Sequence, residues 1–165
     1  MNGFARSLPH LDWRFTLGPV RALYYHLKVV NWRLWQPGRD CRVLLKGMTK
    51  RGADGIFHPL ALPVPLQFIW APAEFTAPTV TLVKEQIVDF GVVREDQKRF
   101  VPTLYTTPSS FSGYVGPNEA IRFQLEVEAI NFSSERQVFE VAWDGAWSYE
   151  AAEMAQHLRI REVEP

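Results

Sequence analysis

Hydrophobic and polar residues alternate most strictly between Ala120 and Trp147. Ile121, Phe123, Leu125, Val127 and Ala129 take every second position, with Arg122, Gln124, Glu126 and Glu128 between them. A period of two gives a strand with one dry and one wet face. After a polar break at Asn131 to Arg136, Phe139, Val141 and Trp143 alternate with Glu140, Ala142 and Asp144. The two runs predict a β-hairpin.

The same period recurs along the rest of the chain. Leu11 to Leu17 predicts a first strand. Ala22 to Trp32 predicts a second, with Leu23, Tyr25, Leu27 and Val29 on one side, and Cys41 to Met48 a third, after the Pro37-Gly38 turn. Asp54-Gly55 is a turn signal that lets Ile56 to His58 fold back as a short strand. Pro59, Pro63, Pro65 and Pro72 punctuate the next segment. Proline brings no amide donor to a ladder, so this stretch is expected as an edge or a crossing connection, with Leu66 to Trp70 its best strand portion. Thr79 to Val83, Gln86 to Arg94 and Phe100 to Thr106 complete the series, with a bulge or bend expected at Gly91. Tyr149 to His157 is the one good helix-forming run, with Ser148 as its expected N-cap and Glu150 in the first turn. Leu158 to Val163 then closes the chain as a strand with Leu158 and Ile160 facing inward.

This series of short strands, with turn signals roughly every ten residues and one C-terminal helix, predicts an all-β fold. The expected architecture is a two-sheet antiparallel β-sandwich. A chain of 165 residues can bury about 70% of the surface its unfolded form exposes. One core is therefore expected, with residues 1-10 as leader or linker and 11-165 as a single domain.

Leu27 to Met48 reads L-K-V-V-N-W-R-L-W-Q-P-G-R-D-C-R-V-L-L-K-G-M. A strand ending in Asn31, a turn, and a new strand opening at Cys41-Arg42-Val43 resemble the immunoglobulin-like β-sandwich modules of uncharacterised bacterial proteins. Trp32-Arg33-Leu34-Trp35 stands where those modules place a small residue. The resemblance implies a sandwich and no activity.

Charge narrows the function classes. Eighteen basic and eighteen acidic residues cancel and are scattered, so no broad field exists to draw in phosphate backbones, and nucleic acid is not expected as the main ligand. No apolar run approaches the roughly 20 residues that span a bilayer, and direct membrane insertion is not expected. Cys41 is the only cysteine. An intrachain disulfide is impossible, and a cytoplasmic setting is expected, either for the chain alone or as the soluble domain of a larger protein.

Catalytic signatures are missing. There is no Gly-x-Gly-x-x-Gly, Walker loop, Gly-x-Ser-x-Gly or His-Glu-x-x-His motif. His10, His26, His58 and His157 are far apart in sequence, and zinc needs at least three converging ligands; neither a metal nor a cofactor is expected. Cys41 lies on the apolar phase of its strand, where a thiol behaves as a small hydrophobe. Glu126 and Glu128 lie on a solvated face. The remaining candidates are Trp32, Trp35 and Trp147, indoles beside turns that can anchor a protein partner or stack on a sugar. The expected function is a non-catalytic protein-interaction or structural module, part of a larger bacterial assembly, with a carbohydrate-binding module as the alternative.

Overall fold

The structure, a computed structural model, describes residues 10–11, 20–72 and 77–164. Two antiparallel sheets enclose one core. The smaller has the order β1 (His10–Leu11), β2 (Ala22–Val30), β8 (Glu85–Arg94), β6 (Ile69–Trp70), with β9 (Phe100–Pro102) also paired to β8. The larger runs β13 (Leu158–Val163), β12 (Gln137–Trp143), β10 (Glu119–Ala129), β3 (Gly38–Arg51), β4 (Phe57–Pro59). Three short strands join it: β11 (Phe132–Ser133) on β10, and β5 (Leu66–Gln67) and β7 (Val80–Leu82) on β3. Of the expected first strand, residues 12–17 lie outside the described residues, as do residues 1–9 of the expected leader.

The hairpin forms as its alternation requires. Ile121 faces Val141 and Phe123 faces Phe139 across the β10–β12 ladder. All four are buried in the core. Phe90 sits at its centre, with the rings of Phe68, Phe100, Phe123 and Phe139 at centroid distances of 5.4 to 6.0 Å. Those rings come from both sheets.

Two glycines set register shifts. Gly91 lies at the shift between β2 and β8, where a Cβ would run into the Phe100 ring and meet the Val101 carbonyl at 2.8 Å. The β10–β3 register slips opposite Gly47. The core-facing set on β3 therefore changes phase, from Cys41, Val43 and Leu45 to Met48.

The proline-punctuated segment is a crossing. Leu66 pairs with Leu45 in the larger sheet, and Trp70, four residues later, pairs with Val88 in the smaller. Phe68 between them is fully buried and donates its amide to the Val43 carbonyl. The Trp70 indole donates to the Cys41 carbonyl at 3.1 Å.

The helix is α1 (Ala151–His157), and Ser148 is not its N-cap. Glu150 holds that place without a side-chain bond. Ser148 Oγ closes a turn one step earlier, accepting the Glu150 amide at 3.1 Å and donating to Glu153 at 2.8 Å. Met154 is buried and fixes the helix to the core.

On the outer face of the larger sheet, Glu140 is only 4% exposed. Arg122 on β10 donates to it at 2.9 Å and Arg161 on β13 at 2.6 Å. Burial pushes the Glu140 carboxyl up, but the hydrogen bonds from Arg161 and Arg122 outweigh it and hold the group below its ordinary value of 4.5. A folded pKa below the unfolded one stabilises the fold above the unfolded pKa, and that stability is lost as the pH falls through the folded value. Thermal melts are expected to shift downward on acidification below about pH 5. The Glu140→Gln protein should melt lower at pH 7 and lose less on going to pH 3; an equal acid slope in both proteins would remove Glu140 from the account.

Candidate functional site

Three connections meet at the end of the sandwich where β3 begins. The first, Asn31 to Pro37, joins β2 to β3; the second is Val83-Lys84, before β8; the third is Ile130-Asn131, after β10. Asn31 organises them. The residue is 1% exposed, and its Oδ1 accepts the Arg33 amide at 2.9 Å, the local turn that asparagine favours. Its Nδ2 faces the carbonyls of Gln36, Leu82 and Val83 at 3.0, 3.1 and 3.3 Å. Its backbone amide donates to the Lys84 carbonyl at 2.7 Å. Asn131 does the same for the third connection, accepting the Arg39 amide and donating to the Pro37 carbonyl, both at 3.3 Å.

These hydrogen bonds hold apolar side chains in solvent. Trp35 is 82% exposed, Ile130 71%, Leu34 60%, and Trp32 and Val83 56% each. They are five of the ten exposed large hydrophobic residues among the described residues, gathered at one end. Single exposed apolar residues are ordinary, but five gathered on fixed loops are not. Beside Ile130 lies a depression of about 250 Å³ lined by Asp40, Arg42, Thr79, Glu128 and Ala129.

Trp147 does not join this group. It follows Trp143, which pairs with Glu119 at the start of β10, whereas the loops described above adjoin the far end of that strand, where Glu128 pairs with Arg42. At about 3.3 Å per residue the two ends are roughly 30 Å apart. The Trp147 ring is half-buried and packs against the core, with its indole nitrogen enclosed. Trp143 is buried, its indole donating to the Ala146 carbonyl at 2.7 Å. One flat ligand cannot rest on Trp35 and Trp147 together.

Cys41 is fully buried, and burial pushes its thiol up from the ordinary value. His26, His58 and His157 each pair with an aspartate, Asp89, Asp54 and Asp144, at 2.8, 2.8 and 2.9 Å. Glu126 pairs with Arg136, and Glu128 with Lys46 and Arg42. Lys46 first, then Arg42, hold the Glu128 carboxyl below its usual range against the opposing effect of burial. Among the described residues, no three His, Cys, Asp or Glu side chains gather as a metal site, and no helix is long and apolar enough to cross a membrane.

Comparison with protein-family models, with curated proteins and with solved structures gives no match for this chain.

Proposed function

We propose that this domain is a non-catalytic interaction module that docks a protein partner through the Trp32–Trp35 loop and its neighbours Val83 and Ile130. The observation that carries the reading is five exposed apolar side chains on loops fixed to one another by Asn31 and Asn131. Indoles concentrate binding energy in protein interfaces because they bury a large area at a small entropic cost. A loop ordered before contact loses little further entropy on binding. Carbohydrate stacking is the second reading, and it rests on the flat face of Trp35.

Trp35→Ala is expected to change the unfolding free energy by less than about 0.5 kcal/mol, because the side chain has little packing to lose. The Trp32→Ala/Trp35→Ala protein, used as bait in extracts of the source cell beside the unaltered domain, should lose a retained protein. Identical recovery by both baits would overturn the reading. Retention of a glycan on an array, abolished by Trp35→Ala, would replace it with the carbohydrate reading.

A further inference from the structure

The larger sheet ends in β13, the longest edge strand among the described residues; β4, β1 and β6 have only two or three residues each. From Arg159 to Val163 no described residue forms a backbone hydrogen bond beyond the ladder with β12. Among the described residues, nothing pairs with the outer row of amides and carbonyls, and Arg159, Arg161 and Glu162 on it are exposed.

Its side chains specify what kind of strand. Arg159 and Arg161 stand opposite Ala142 and Glu140, on the outer face of the sheet. Arg161 is 67% exposed at its side chain and shares Glu140 with Arg122, so two guanidinium groups meet one carboxylate. Arg159 is exposed and, among the described residues, makes no direct ion pair, its charge reaching the Asp144 carboxylate only through space. The row is therefore positive. Ile160, on the other phase, packs against the core at its margin, and Glu162 follows it, exposed, opposite Phe139.

A second copy of the chain fits this edge poorly. In a two-fold antiparallel pairing, residues directly opposite share a face, which restricts the centre to a residue rather than a gap. Centring on Ile160 sets Arg159 against Arg161 of the copy, twice, and centring on Arg161 sets that residue against itself. Like charges directly opposite destabilise a ladder.

We propose that β13 is a docking edge for an extended protein segment in which acidic and apolar residues alternate, the acids meeting Arg159 and Arg161 and the apolar residues continuing the core beyond Ile160. Main-chain hydrogen bonds would supply the contact and the alternate side chains the selectivity. This surface stands independently of the tryptophan loop.

Synthetic peptides with alternating Glu and Val, or Lys and Val, test it, followed by amide chemical-shift mapping on the intact domain. The Glu–Val peptide is expected to shift the amides of residues 159–163 and to bind at least about tenfold tighter than the Lys–Val peptide. Arg159→Glu should weaken it by a similar factor with an unchanged melt, and N-methylation of alternate peptide amides should abolish binding. The Trp32→Ala/Trp35→Ala protein should bind it as the unaltered domain does, so that failure at one surface is read separately from failure at the other. Equal binding of the Lys–Val or the N-methylated peptide, shifts confined to other strands, or no binding at millimolar peptide would overturn the proposal.

Discussion

Phe90→Ala is expected to cost about 3–5 kcal/mol, a large part of the stability of a domain this size. Phe90 is fully buried, and its ring touches aromatic neighbours from the crossing segment, β9, β10 and β12. Truncation removes the transfer energy of the ring and leaves a cavity whose walls belong to two sheets, each held by its own ladder. Those walls cannot close without bending both. Phe90→Leu keeps much of the volume and should cost about half as much. Urea unfolding followed by far-ultraviolet circular dichroism measures both; a loss below about 1 kcal/mol for the alanine protein would mean that the sheets close over the gap.

Asn31→Leu, close in size, is expected to lower stability by about 2–4 kcal/mol. The substitution strands the Arg33 amide and the carbonyls of Leu82 and Val83 next to a buried side chain that offers nothing in return. Each unsatisfied buried group costs about 1–3 kcal/mol, and water relieves the more exposed ones in part. The loop should also lose its fixed shape while Trp32 and Trp35 remain in place. The two effects separate by experiment, because chemical unfolding reports the first and partner retention by the folded variant reports the second. An Asn31→Leu protein that retains its partner fully would show that the indoles bind without being pre-set.

The sheets were legible in the sequence wherever one face was dry and the other wet. Ile121 to Ala129 and Phe139 to Trp143 could satisfy no other element, and their pairing follows from that alone. Gly91 announced its bulge because a glycine between Phe90 and Val92 interrupts an otherwise β-branched and aromatic strand. Gly47 gave no such notice: the alternation before it is intact, and only its partner strand reveals the slip at Gln124. Ser148 carried the usual signal for a cap, but its hydroxyl is committed to Glu150 and Glu153 instead.

The candidate surface was half legible. Trp32 and Trp35 stood beside turn residues and could be named from the sequence. Leu34 lies between them, while Val83 and Ile130 sit one residue beyond the ends of their strands. Their grouping depends on Asn31 reaching the carbonyls of Leu82 and Val83 some fifty residues away, which no local pattern carries. Trp147 is the converse case, since a neighbouring turn does not tell which way an indole points and this one packs against the core.

The passage of the chain from β5 to β6 has a bearing on how the domain comes apart. Leu66 and Trp70 belong to different sheets, and the buried Phe68 joins them. Peeling one sheet from the other would drag this five-residue strap out of both ladders and expose its aromatic rings to water. Partial opening is therefore expected to cost nearly as much as complete unfolding, with the amides of the two layers exchanging together in hydrogen-exchange measurements.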